Sequence, residues 1–210
     1  EAIVDWLESK MCSTNELEGT TILVTAGGTQ ESIDPVRYIG NRSSGKMGYA
    51  IAEQAVRMGA KVILVSAPTS LPIPSGVDFI SVDSAVSMQE AVEARYNDVN
   101  VVIMAAAVSD FRVLHKAEQK IKKMESMTIE LVKNPDILQG LGSKKNHQIL
   151  VGFAAETEHV IKYGQDKVAR KNLDMLVAND VSKSNAGFNV DTNEGYFLYP
   201  DKEPKEMPNM

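Results

Sequence analysis

A chain of 210 residues has room for one α/β domain with a single sizeable core. Its 43% apolar and 24% charged residues are those of a globular protein, and a net charge of −6 argues against nucleic acid or an acidic membrane as main partner. No apolar run is long enough to span a bilayer, no secretory pattern opens the chain, and a lone cysteine, Cys12, excludes an internal disulfide framework, so a reducing cytoplasm is expected.

The chain begins at Glu1, and Ala2 to Ser9 reads as the end of a short helix. The polar stretch Ser13 to Glu18 follows, so residues 1–20 are expected to be a linker from an upstream domain and 21–210 the domain proper. "TILVTA" (21–26) is the first strand and ends in the glycine turn Gly27-Gly28-Thr29. A helix is expected over Met47 to Met58, with apolar residues at Met47, Ala50, Ile51, Ala55 and Met58 and Gly59 as its C-cap. "KVILVSA" (61–67) is the next strand, and Ser84 is the candidate N-cap of a helix running to Tyr96. "VVIMAAAV" (101–108) is a third strand. "VKNPDI" (132–137) reads as a strand leaving into a helix over Pro135 to Leu141, with Asn134 as N-cap and Asp136 in the first turn. "ILVGFAA" (149–155), a helix over Glu158 to Lys171, "DMLVAND" (174–180) and "GYFLY" (195–199), a late strand or hairpin arm, complete the series, and "KEMPNM" ends it with no closing element. Strands that are apolar without alternation are buried on both faces. Their alternation with helices predicts a Rossmann-like, doubly wound, mainly parallel sheet with helices on both faces.

In such sheets ligands bind beyond the carboxyl ends of the strands. Here those ends read "TAGGT", "SAPTS", "AAAVSD", "GFAAET" and "ANDVS", small or polar throughout, and should line one crevice. "GNRSSGKM" (40–47) meets the P-loop pattern at Gly40, Gly45 and Lys46 but carries Met47 where a magnesium-binding hydroxyl belongs. It also stands well beyond the first strand. Ser43, Ser44 and Gly45 precede a helix whose free N–H groups suit a phosphate, yet a serine N-cap on a tight turn explains them equally. "AAAVSDF" lets a ligand lie against backbone, with Asp110 as contact or turn cap. "KIKK" (120–123) and the helically spaced Lys167, Arg170 and Lys171 read either as phosphate contacts or as solvated basic surface. His115, His147 and His159 are scattered, so no zinc site is expected.

Taken in order, "DPVRYIGNRSSGKMGYAIA", "AAAVSDFR", "KIKK", "VKNPDI", "GFAAET" and "KNLDMLVANDVS" resemble the phosphopantothenate–cysteine ligases of bacterial coenzyme A synthesis, from about Thr21 onward. In many bacteria this ligase is the C-terminal half of a bifunctional protein behind a flavin-dependent decarboxylase, so FMN is implied only for an upstream half. The resemblance implies a CTP-dependent ligation, with Mg2+ accompanying the triphosphate. The carboxylate of 4′-phosphopantothenate attacks the α-phosphate to give an acyl-cytidylate and pyrophosphate, and the amine of L-cysteine then displaces CMP. It implies a homodimer, while the net charge already argues against nucleic acid or membrane as partner. Preference for CTP comes from the bacterial members, since eukaryotic relatives use ATP.

Carried over by motif, Asn41, Arg37 and Ala107 match positions associated with the acyl intermediate and its conversion, and Lys120 matches a cation on the phosphates. The nucleotide side comprises Gly28, Ser43, Ala105, Ala106, Asp110, Phe111, Lys133, Asn134, Pro135, Asp136, Phe153, Lys167 and Lys171; no metal ligands are assigned. Many relatives have Gly-Pro-Thr at Gly27-Gly28-Thr29 and a closing helix after the last strand, which this chain lacks. An NAD(P) reductase on the same fold is the rival enzyme, but the glycine fingerprint and a ribose-reading residue near "SAPTS" are missing. A non-catalytic nucleotide-binding module is the rival of another class.

Overall fold

Continuous runs of β-branched and aliphatic residues build the middle of an eight-stranded sheet in a computed structural model that describes residues 14–156, 158–180 and 195–207. In chain order the elements are β1 (Thr21–Ala26), β2 (Gln30–Ser32), β3 (Tyr38–Gly40), α1 (Lys46–Arg57), β4 (Lys61–Ser66), β5 (Val77–Ser81) and α2 (Ala85–Glu93). A 3-10 turn (Tyr96–Asp98) leads to β6 (Val101–Met104), β7 (Phe111–Val113), β8 (Leu131–Lys133), α3 (Ile137–Lys144) and β9 (Ile149–Glu156). α4 (Val160–Arg170), β10 (Met175–Asp180), β11 (Gly195–Tyr199) and β12 (Lys202–Glu206) follow. The sheet order is β12-β11-β10-β9-β6-β1-β4-β5, parallel from β10 to β5 and antiparallel through β11 and β12. This is the doubly wound α/β fold expected. β2–β3 and β7–β8 are separate two-stranded ribbons.

Alternate residues of the central strands enter different cores. Ile22, Val24, Val62 and Leu64 pack with Tyr49, Ala52 and Ala55 of α1. Leu23, Ile63, Val102 and Leu150 pack with Met88 and Val92 of α2, Leu138 and Leu141 of α3 and Val168 of α4. At about 0.8 kcal/mol per buried CH2, these two layers are the main source of stability. The face of α1 differs from the one read off the sequence: Gly48, Tyr49, Ala52 and Ala55 are buried, while Met47 and Ala50 are exposed. The reason is close approach. A Cβ on Gly48 would stand 2.6 Å from Ala26 Cβ and 2.9 Å from Thr25 O, so small residues must face β1.

Helix ends carry further corrections. The N-cap of α1 is Gly45, at φ 78, and not a serine. Its C-terminus closes through the Gly59 N–H on Val56 O and the Ala60 N–H on Ala55 O, with Gly59 at φ 90, a Schellman turn. Ser84 caps α2 as expected, but the helix stops at Glu93 and Tyr96 opens the 3-10 turn. α3 starts at Ile137 on Asp136, whose side chain accepts from Gln139 N; Asn134 is not its cap. "GYFLY" is one arm of a hairpin with "KEPKE", which is β12, and the lysines, glutamates and proline of β12 make a poor template for further pairing. Residues 14–20 form a turn whose Thr14 and Leu17 N–H groups donate to Arg57 O and Met58 O. The helix expected over residues 2–9, Cys12, Thr157 and Val181–Ser182 lie outside the described residues.

Candidate functional site at the carboxyl edge of the sheet

The loops leaving β1 and β6 are bonded to each other beyond the sheet. Gly28 and Ala107 form a parallel bridge, with Ala107 N donating to Gly27 O at 2.8 Å and Thr29 N to Ala107 O at 3.2 Å. Ala106 N donates to Thr25 Oγ1 at 3.2 Å, and Ser109 N to the buried Thr29 Oγ1 at 2.9 Å. Threonine hydroxyls at the end of β1 therefore set the path of Ala105 to Ser109. The loop after β3 lies across this seam: Asn41 Nδ2 donates to Val108 O at 3.2 Å. A Cβ on Gly28 would stand 2.7 Å from Asn41 O and 3.3 Å from Ser43 Cβ. Gly28, Asn41, Ser43 and Ala107 are thus one cluster. Ser43 and Ser44 turn their hydroxyls onto the loop's own N–H groups, at Gly45 and Lys46.

A second strip continues from β6 toward α3. Asn134 is buried; its Nδ2 donates to Ser109 O at 2.8 Å and its N–H to Asp110 O at 2.7 Å. Arg112 Nη1 reaches both Lys133 O and Asn134 Oδ1 at 3.1 Å, which fixes the amide orientation. Phe111 pairs with Lys133 across the β7–β8 ribbon and is 52% exposed. Beyond Pro135, Asp136 caps α3 and takes Lys171 Nζ at 2.9 Å. Burial raises the affinity of Asp136 for a proton, but the Lys171 ammonium and the Gln139 N–H outweigh this and leave its carboxyl below the ordinary value. Lys167 Nζ pairs with Glu156 at the end of β9. Lys167 and Lys171 are therefore committed to carboxylates, and the reading of a freely solvated basic face is corrected. Phe153 is half-buried on β9, opposite Val177 of β10.

Arg37 is bonded to the backbone of Ile121, the neighbour of Lys120. Arg37 donates from Nε and Nη2 to Asp34 and from Nη2 to Ile121 O at 2.9 Å, while Ile121 N donates to Asp34 Oδ2 at 3.1 Å. Lys120 itself is exposed at this rim.

The structure adds Thr29, Asp34, Ser109 and Glu156 to the residues that sequence reasoning singled out. Glu156 stands in "GFAAET" and Asp34 opens "DPVR", so both lay within quoted motifs, but the bonds of Asp34 to Ile121 and of Glu156 to Lys167 join separate motifs. Among the described residues, two buried side-chain oxygens have no hydrogen-bond partner, Ser109 Oγ and Asn179 Oδ1. They stand on the segments leaving β6 and at the end of β10, on the same carboxyl edge. Buried polar atoms are rarely left unpaired, and such atoms at a crevice are ready partners for a polar ligand.

The domain family described as the DNA/pantothenate metabolism flavoprotein C-terminal domain matches residues 17–210. The chain is 50% identical over 196 residues to the Coenzyme A biosynthesis bifunctional protein CoaBC of Bacillus subtilis (strain 168), covering 92% of this chain and 48% of that protein. Identity to the protein of the same name from Escherichia coli (strain K12) is 47% over 98% of this chain and 52% of that protein. The chain spans about half the length of these curated relatives. It is similar, with a TM-score of 0.79 and 46% identity, to a crystal structure of the C-terminal domain of Coenzyme A biosynthesis bifunctional protein CoaBC, over 93% of this chain and 89% of that one. The DNA/pantothenate metabolism flavoprotein from Streptococcus pneumoniae shares the fold at 23% identity, with a TM-score of 0.78 over 90% of this chain and 93% of that one. From the turn at residue 17 to its end, the chain belongs to the DNA/pantothenate metabolism flavoprotein C-terminal domain family.

Proposed function

We propose that this domain joins 4′-phosphopantothenate to L-cysteine at the expense of CTP, as a ligase of coenzyme A biosynthesis. The observation that carries this reading is the ribbon between Gly28 and Asn41, which is bonded to Ala107 and Val108 at its base and to the segment bearing Lys120 at its turn. The near half identity to relatives named for coenzyme A biosynthesis supports it.

A carboxylate has no leaving group until it is joined to phosphorus. In the first step a carboxylate oxygen of 4′-phosphopantothenate attacks the α-phosphorus of CTP, the bridging P–O bond to the β-phosphate breaks, and pyrophosphate leaves. Backbone groups from Ala105 to Phe111 read the nucleotide, with Ser109 Oγ a further partner, and Lys133 to Asp136 carry its phosphates toward the start of α3. Lys167 and Lys171 exchange their carboxylate partners for phosphate oxygens, a trade between charge-assisted bonds of similar kind. Lys120 stabilises the charge that grows on the departing pyrophosphate. In the second step the cysteine nitrogen attacks the acyl carbon, the acyl C–O bond breaks, CMP leaves, and the amine gives up a proton to solvent. The Asn41 amide, uncharged and offering two donors and an acceptor, orients the acyl group, with Arg37 as the cation at the turn of the same ribbon.

Among the described residues no group of three or more His, Cys, Asp or Glu side chains converges as a metal site. Magnesium would be held by triphosphate oxygens, and it would spread the phosphate charge. The homodimer is part of the same proposal, and the exposed Phe111, Leu114 and Leu131 of the β7–β8 ribbon offer an apolar surface for it. Among the described residues no helix is long and apolar enough to cross a membrane.

The test is a pyrophosphate-release assay with CTP, ATP and 4′-phosphopantothenate, followed by addition of cysteine. Release with CTP that exceeds release with ATP, and ligated product after cysteine, is the expected result. Equal use of both nucleotides removes the CTP assignment, and no release at all removes the ligase.

A further inference from the structure

Asp34 is 2% exposed on the turn between β2 and β3, and the mechanism above gives it no role. Its Oδ1 accepts from Val36 N at 2.8 Å and Arg37 N at 2.9 Å. Its Oδ2 accepts from Arg37 Nε at 3.0 Å, from Arg37 Nη2, and from Ile121 N at 3.1 Å. The local bonds shape the Asp-Pro turn. The bond to Ile121 has no local purpose, since it crosses 87 positions of sequence. Arg37 Nη2 closes the clasp by donating to Ile121 O, so both polar groups of residue 121 are held by one ion pair. A third bond, from Ala117 N to Ile33 O, sews the same two segments together upstream. The Arg37 guanidinium holds the Asp34 carboxyl far below the usual carboxylate range, so the clasp is charged at any working pH.

Lys120 is the exposed neighbour of the clasped residue. A lysine side chain has many rotamers, and a loop free to move would dilute its charge over a wide volume. Fixing the peptide beside it confines the ammonium to the surroundings of the turn between β2 and β3. We propose that Asp34 is a positioning residue for Lys120: through its pair with Arg37 it fixes residue 121 and so holds the Lys120 ammonium where pyrophosphate departs. This rests on the ligase reading, and specifically on Lys120 acting in the first half-reaction.

The test is a double-mutant cycle on pyrophosphate release measured without cysteine, in the whole protein, with Asp34→Asn, Lys120→Gln and the pair. Asparagine keeps the shape of Asp34 but removes its charge and one acceptor. Asp34→Asn alone should lose roughly 10- to 100-fold, the usual cost of removing a group that orients a functional one. On the Lys120→Gln background it should cost little more, because residues acting as a unit are non-additive. Arg37→Lys keeps a positive partner for Asp34 but loses the fork onto Ile121 O; it should show the same non-additivity, and it serves where Asp34→Asn fails to fold. Losses that multiply across the cycle, or an Asp34→Asn protein with unchanged release, overturn the positioning role while leaving the ligase reading intact. No release by the unsubstituted protein overturns that reading and this inference with it.

Discussion

Where Asn41 lies, the crevice is held by uncharged bonds between backbone and buried side chains, whereas the side reached by α3 and α4 is held by lysine–carboxylate pairs. Gly28, Ala107, Thr29 and Ser109 bond to one another with no charge among them. Lys167 and Lys171 instead face Glu156 and Asp136. A buried neutral network keeps its geometry because every alternative leaves a polar group unpaired. A partly exposed ion pair has an alternative ready in any other anion. The difference matches the proposed chemistry: the acyl carbon needs fixed geometry, while the triphosphate needs cations whose partners can be exchanged.

The largest expected effect separates the fixed region around Asn41 from the cation that acts on pyrophosphate. Lys120→Gln should lower pyrophosphate release by about a hundredfold or more, the usual cost of removing an electrostatic contact to developing charge. Asn41→Ala should release pyrophosphate but convert the intermediate slowly, so that acyl-cytidylate accumulates and persists after cysteine is added. Mass spectrometry of quenched reactions reads both. Normal turnover of cysteine by Asn41→Ala would make that loop a structural turn, and the comparison would lose its first half.

Next in size is Gly28→Ala. A Cβ 2.7 Å from Asn41 O cannot be relieved by a side-chain rotation, since the obstacle is backbone. The loop must shift, at about 1–3 kcal/mol by the usual cost of overpacking. Urea denaturation should show that loss, and the cysteine-dependent step should slow more than pyrophosphate release. An equal effect on both steps would mean that the two regions are mechanically one.

Much of this architecture was legible from residue order. "TILVTA" and "KVILVSA" matched β1 and β4 to within a residue, because strands buried on both faces read as continuous apolar runs bounded by turn residues. β5 was missed: "VDFIS" is an edge strand with an exposed Asp78 at its second position, so no apolar run marks it. β2, β3 and β7 have three residues each, too few for any period to appear. Asn134 and Asp136 flank Pro135 and are equally good caps by type. Only the tertiary demand of the Ser109 carbonyl takes Asn134 away from the helix. Motif order brought out Asn41, Lys120 and Asp136, but the partners of Lys167 and Lys171 and the bond of Arg37 to Ile121 could not be read because each joins segments that the fold alone brings together.

A smaller effect concerns acid. The Asp136 carboxyl sits below its ordinary value of 3.8, so its pairing contributes stability that is fully present above that value and fades as pH falls beneath it. Thermal melts of Asp136→Asn against the unsubstituted protein, from about pH 5 downward, should converge as acid is added. A constant gap between them would mean that helix capping, and not the charge pair with Lys171, is what Asp136 contributes.

The smallest expected effect is also the most direct test of exchangeable pairing. Glu156 competes with phosphate for Lys167, whose side chain is 34% exposed, so the pair is partly screened and worth at most about 1 kcal/mol. Glu156→Gln keeps a hydrogen-bonding oxygen but withdraws the negative charge. The lysine is then easier to recruit, and the apparent affinity for CTP should rise by roughly two- to fivefold, the factor that such an energy commands. The gain should shrink as salt is raised, because added ions screen the freed cation from the triphosphate. The maximal rate should hardly move, since the pair lies on the binding side and not on the departing pyrophosphate. A loss of affinity would mean that Glu156 aims Lys167 at the phosphates, and the carboxylates of this side would then belong to the fixed framework, like the bonds around Asn41.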